Sequence, residues 1–207
     1  MPLSEVTVSK ALATVLVAAA LLGTSGCAGF GIVATSDPAA KLSDAEDLFD
    51  RQDRPLPAER LIREAIDIYQ EKNDQVGLAG AYRTYGFFFR SPSVEGKWNK
   101  IYRANGFLDK SATFETRYAK SIEYFEKARA IYAENKRFDR LTNVDLNMGF
   151  SYAGMGNKDA ACNAFDRSLE SYRENLRQTP GARPIVPRGF ASYEEFLADV
   201  KKRYACT

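Results

Sequence analysis

The stretch GFSYAGMGNKDAACNAFDRS, residues 149–168, decides the fold. It sets Gly149, Tyr152, Ala161, Phe165 and Ser168 at the spacing G-x2-Y-x8-A-x3-F-x2-[AS]. Small and aromatic residues recur at helical intervals on both sides of Gly156-Asn157, and that pair is a turn signal. The pattern predicts two antiparallel helices, over about 139–154 and 158–177. Glycine and alanine let the two backbones approach, and the aromatic rings fill the spaces between them.

The same spacing recurs earlier. Phe49, Ala58, Ile62 and Ala65 carry it once. Gly86 and Phe89, then Ser121, Phe125 and Ala128, carry it again in two pieces. Ala65 stands as far from Gly86 as Ala128 does from Gly149. The run from Ala65 to Glu71 also echoes the run from Ala128 to Glu134. The pattern resembles the tetratricopeptide repeat, a helical hairpin that stacks on its copies. The resemblance covers about residues 40–177, with a longer period than the usual ~34 residues and without the usual late proline. It implies an all-α, TPR-like solenoid of about three repeats.

Outside the repeat pair, apolar residues keep the helical period and nowhere alternate as in strands. Ala45, Leu48 and Phe49 mark a first helix, and Leu61, Ile62, Ala65, Ile68 and Tyr69 a second, with Pro55 and Pro57 at the turn between them. A third is predicted over about 76–89 and a fourth over about 117–135. After a Pro-rich loop, Ser192 and Glu195 form a capping box that opens a last helix over about 192–204.

The resemblance also implies a concave face, lined by the first helix of each hairpin, where family members commonly bind peptides. Counting outward from Gly86 and Gly149 gives Arg83, Thr84, Phe87 and Arg90 in the middle repeat. It gives Asn143, Asn147 and Phe150 in the last. The first repeat offers Asp47 and Asp50. The expected partner is a protein or a peptide segment. Solvated helix faces would show the same residues.

Phe89 and Ser121 are separated by 31 residues where the spacing requires eight. An insertion over about 91–117 therefore splits the middle repeat, and long insertions in compact domains are often functional. Over 90–120 seven basic residues face three acidic ones, a net of +4. Over 37–75 eleven acids face six bases, a net of −5. One reading has Lys97, Trp98, Lys100, Tyr102 and Arg103 contacting an acidic partner. The other has Trp98, Tyr102, Phe107 and Leu108 docking on the flank of the hairpins.

Residues 1–26 read as a signal peptide, with an apolar run at 11–22 after Lys10. That run is too short to span a bilayer as a lasting helix. It ends in Leu22-Gly23-Thr24-Ser25-Gly26-Cys27, small residues before a cysteine that resemble a bacterial lipobox. The resemblance implies lipidation of Cys27, with 27–38 as a tether and 39–207 as the folded domain. Ala28 is not the aspartate that holds such lipoproteins at the inner membrane, which implies the periplasmic face of the outer membrane. In an oxidising compartment the remaining cysteines, Cys162 and Cys206, are candidates for a disulfide or for two free thiols.

The chain of 207 residues has a net charge of +2 and no histidine. No nucleophile–histidine pair or histidine metal site can exist, so a binding protein without metal or cofactor is expected. The small net charge gives no general pull on nucleic acid. Two functions fit: an adaptor in an envelope assembly, or an immunity-type lipoprotein that neutralises a secreted toxin such as a phospholipase.

Overall fold

In the computed structural model, residues 34–182 and 186–206 are described. The expected signal segment and Cys27 lie outside them. The described residues are helical, with no strand among them. In chain order the helices are α1 Pro38–Asp50, α2 Pro55–Glu71, α3 Gln75–Phe89, α4 Pro92–Glu95, α5 Asn99–Asn105, α6 Arg117–Glu134, α7 Phe138–Gly154, α8 Lys158–Gln178 and α9 Tyr193–Arg203.

Local chemistry sets the helix ends. Asp37 caps α1 by accepting from the Ala39 N–H, and Asp74 caps α3 through the Gly77 N–H. Pro55 opens α2, where its missing N–H costs nothing. Four helices end alike, with Asn73, Lys136, Gly156 and Ala205 at positive φ of 53°, 52°, 76° and 53°. The next N–H then reaches back five residues, from Asp74 to the Tyr69 carbonyl, Arg137 to Tyr132, Asn157 to Tyr152 and Cys206 to Lys201. These are the bonds of a Schellman turn, which satisfies the last carbonyls of a helix. Ser192 caps α9 by accepting from the Glu195 N–H, while the Glu195 carboxylate takes the N–H of Ala191 rather than that of Ser192.

The helices pack mainly in succession: α1 on α2, α2 on α3, α3 on α6, α6 on α7, α7 on α8, and α8 on α9. The two glycines of the spacing, Gly86 and Gly149, lie against the aromatic rings of the helices they face. A Cβ at Gly86 would stand 2.7 Å from Phe125 Cε1, and one at Gly149 would stand 2.3 Å from Phe165 Cε1. Ala58, Ile62, Ala65, Ala128 and Ala161, the other small and apolar positions of the spacing, are fully buried. Between hairpins, the buried Asp145 of α7 accepts from Arg129 of α6 at 2.8 Å and Arg167 of α8 at 3.2 Å. Ser121 bridges α6 to the Gly86 carbonyl at 2.7 Å and to Ser151 at 2.9 Å.

The insertion is folded. It contains α4 and α5, and Val94, Tyr102, Phe107, Ala112 and Phe114 are buried. Phe107 stacks on Tyr102 at 4.5 Å and lies 4.9 Å from Phe89 of α3. Leu108, expected to dock, is instead 49% exposed. Cys162, in the first turn of α8, and Cys206, beyond α9, are joined as a disulfide with Cα atoms 5.5 Å apart. Among the described residues, no helix is long and apolar enough to cross a membrane.

Candidate functional site

Arg83, Phe87 and Arg90 follow one another at i, i+4 and i+7 on α3, so they share one face. Gly86, three residues from Arg83 and four from Arg90, flanks this face and packs on Phe125 of α6, while Phe89 turns toward Tyr124 of α6 and Phe107 of the insertion. Glu46 and Asp50 of α1 approach that shared face from one side, and Asn143 of α7 from the other. Together with Phe49, Ser91 and Pro92 they line a cavity of about 420 Å³.

The cavity walls are cross-braced. Glu46 Oε1 accepts from the Thr84 hydroxyl at 2.8 Å and pairs with Arg83 Nη2 at 3.6 Å. The Phe87 ring has the Arg83 guanidinium 5.6 Å and the Arg90 guanidinium 5.8 Å from its centre. Arg90 also lies 5.6 Å from the Phe150 ring and donates to Asn147 Oδ1. Asn147 in turn donates to the Asn143 carbonyl at 2.7 Å. Burial pushes the Asp50 carboxyl above the usual range, and neighbouring Glu46 adds to this against Arg90 and Arg51. Burial likewise lowers the Arg90 guanidinium, opposed first by Glu95. Arg83 Nε, Arg90 Nε and Asn143 Oδ1 are buried without a hydrogen-bond partner among the described residues. The floor thus keeps unused polar capacity beneath a surface of cations, carboxylates and two aromatic rings, Phe49 and Phe87.

Of the groove residues expected from sequence, Arg83, Phe87, Arg90 and Asn143 line this cavity. Asn147 is buried beneath it and orients Arg90. Thr84 is a correction: at 1% exposure it is held under Glu46 and presents nothing to a partner. Phe150 packs edge-on to Phe165 at 5.4 Å, below Arg90 rather than on the wall. Asp47 pairs with Arg51 at 3.2 Å, and Glu46 takes the groove position. One residue along a helix turns the side chain by about 100°, so a shift of one position moves it off the face.

Of the insertion residues expected from sequence, Tyr102 needs correction, and the others lie away from this cavity. Trp98 donates through Nε1 to the Asp53 carbonyl at 2.9 Å, and Lys97 pairs with the Asp53 carboxylate at 3.2 Å. Both are thus directed to the α1–α2 turn. Tyr102 is buried and unavailable to a partner. Arg103 pairs with Glu115 and lies 4.1 Å from the Phe114 ring centre, while Arg117 lies 4.2 Å from the same ring. Lys100 is exposed. None of these five lines the cavity; the insertion contributes Ser91 and Pro92, its first residues.

Two features escaped the sequence. Glu59 of α2 is 2% exposed, and its Oε1 accepts from the Tyr85 hydroxyl at 2.8 Å and the Leu108 N–H at 2.7 Å. Burial raises its carboxyl to about 7, against the lowering effect of those two bonds and of Lys110. The second is another cavity, of about 870 Å³, which shares Arg83 and Asn143 with the first and extends to Tyr193 and Phe196 of α9. Among the described residues, no group of three or more acidic or cysteine side chains is placed to hold a metal ion. Compared with known families and with curated proteins, the chain matches no family model and no curated sequence.

Proposed function

We propose that this chain is a lipid-anchored, periplasm-facing interaction module, in which three TPR-like hairpins form a groove that holds a segment of a protein partner. The observation that carries this reading is the convergence of Arg83, Phe87, Arg90 and Asn143, from two separate hairpins, on one cavity beside Glu46 and Asp50. Arginine and aromatic side chains are frequent energetic anchors of interfaces. Binding without chemistry is favoured by the absence of histidine from the chain. The anchor reading rests on the apolar run that ends in Gly26-Cys27.

A photo-crosslinking amino acid placed at Phe87, and in a second protein at Lys100, tests the groove in intact cells. The Phe87 position should yield one discrete envelope protein and the Lys100 position should not. Adducts from Lys100 alone would place the interface elsewhere. Labelled palmitate should enter the wild-type protein and not Cys27→Ser; equal labelling of the two would remove the anchor.

A further inference from the structure

The larger cavity extends beyond the groove residues that the sequence pointed to, sharing Arg83 and Asn143 with them. Its walls are Arg83 of α3, the α6–α7 turn, the first half of α7, the last turns of α8, Thr179, Ala182 and Pro187 of the loop that follows, and the start of α9. Its chemistry divides in two. On one side stand Lys136, Arg137 and Arg140, with Asp139 as the acid of that wall. Asp139 accepts from Arg137 through Nε and Nη2, both at 3.1 Å, and pairs with Arg140 Nε at 3.3 Å. Its carboxylate therefore holds two guanidiniums side by side and neutralises only one of three cations. Lys136 is exposed, fixed at the left-handed end of the turn, and has no carboxylate partner among the described residues. Arg83, shared with the first cavity, adds a further positive charge.

The opposite wall is aromatic. Tyr193 stacks on Tyr172 at 4.7 Å and is pinned by its hydroxyl to Ser168 at 2.6 Å. Phe196 leans on Tyr193 at 5.7 Å and stays partly exposed. Tyr172, Tyr193 and Phe196 thus pack on one another as a largely apolar wall.

We propose that this chamber takes an acidic segment of a protein partner, with carboxylates at Lys136, Arg137 and Arg140 and an aromatic or aliphatic side chain against Phe196. The proposal rests on the groove reading above and names what the groove selects. Asp139 occupies the Nε–Nη2 edge of Arg137, which leaves Arg137 Nη1, the outer edge of the Arg140 guanidinium and the Lys136 ammonium to meet carboxylates, and a guanidinium already held in place loses less freedom on binding. The volume suits a few side chains rather than a folded domain, and lies within the usual range for ligand sites of roughly 300–1,000 Å³. With a net charge of only +2, the chain as a whole exerts little long-range pull on polyanions, so selection falls to this local cluster.

The test uses the full chain in detergent micelles, panned against a random peptide display library. Enriched peptides should carry at least two Asp or Glu residues beside Phe, Tyr or Leu. Binding of a selected peptide should weaken about tenfold or more in the double variant Lys136→Glu, Arg140→Glu, and should fall with rising salt. Lys136 and Arg140 are exposed, so the helical spectrum and melting point should hold. Phe196→Ala, which leaves the charges intact, should weaken the same peptide, and Lys100→Glu should not. No enrichment, enrichment without acidic residues, or full binding by the double variant would each overturn the proposal. So would binding to anionic phospholipid vesicles that the charge reversal abolishes while no peptide is enriched. The Phe87 crosslink separates the two readings. If the adduct persists in the charge-reversed protein, the groove stands and the acidic chamber falls. If it is absent from the wild type, the groove itself falls.

Discussion

Glu59 shows how one residue can tie a pH dependence to the fold. It sits among Tyr85, Tyr102 and the returning chain at Leu108, and burial lifts its carboxyl from 4.5 to about 7. Between about pH 4.5 and 7 the folded chain therefore keeps a proton that the unfolded chain has lost. Stability contributed by this group falls as pH rises through that window and is level above it. A shift of that size corresponds to about 3 kcal/mol. Glu59→Gln keeps an acceptor oxygen for Tyr85 and Leu108 and removes the charge. Its stability relative to wild type should rise from pH 4.5 to 7, reaching an advantage of up to about 3 kcal/mol at pH 8. Denaturant unfolding of both proteins at pH 5 and pH 8 measures it, and identical pH profiles would show that Glu59 is not buried as described. The sequence could not reveal this residue. Glu59 reads as an ordinary polar position of α2, and its burial comes from a contact with Leu108, 49 residues away. Arg83 and Arg90, by contrast, were legible because the helical period alone puts residues seven apart nearly on one face.

At the scale of elements, the helices and their turns were legible and the contents of the insertion were not. The echo of Ala65–Glu71 in Ala128–Glu134 has a physical cause, since both runs end in the same left-handed turn, at Asn73 and Lys136. The spacing of small residues likewise marks where helices touch, which makes a contrast between glycines possible. Gly149 faces Phe165, where a methyl group would come within 2.3 Å of the ring. That ring is itself packed against Phe150 at 5.4 Å and Tyr204 at 5.6 Å, so it has little room to retreat. Gly149→Ala should therefore destabilise by about 1–3 kcal/mol, as overpacking does. Gly80 lies in α3, where the nearest atom to an added methyl is the Tyr132 hydroxyl at 3.8 Å. Gly80→Ala should stabilise, by up to about 1 kcal/mol, because alanine loses less backbone freedom in a helix. Thermal melts decide it, and a shift of the same sign in both variants would remove glycine packing as the reason for the repeat. The insertion showed itself in sequence only as an interruption. Its anchors, the Asp53 carbonyl for Trp98 and the Glu59 carboxylate for Leu108, belong to a hairpin distant in sequence. The charge imbalance, −5 over 37–75 and +4 over 90–120, could not identify these contacts, because the anchors use backbone groups, although the pair Lys97–Asp53 joins the two segments.

At the scale of the molecule, the order of packing determines how a local change spreads. Each long helix has its main contacts with the next in the succession, and α9 comes last, on α8. Beyond α9, the disulfide from Cys206 to Cys162 ties the end of the chain to the first turn of α8 across a separation of 44 residues. Lys201 adds an ion pair to Asp166 at 2.5 Å, and the Tyr204 ring lies 5.6 Å from Phe165. Closing a loop of that length is worth about 4 kcal/mol on a chain-entropy estimate. In a stack with neighbour-to-neighbour contacts the loss of such a tie falls first on the terminal element rather than on the whole. Amide hydrogen exchange on Cys206→Ser should therefore show lost protection in α9 and in the part of α8 beneath it. Protection in α1 and α2 should match wild type. An equal loss in α1 and α2 would mean that the hairpins unfold as one unit. Because Tyr193 and Phe196 of α9 wall the larger cavity, the same variant should also bind selected acidic peptides less tightly, although no residue that touches the peptide has changed. A variant with frayed α9 and undiminished peptide binding would show that the aromatic wall takes no part in recognition.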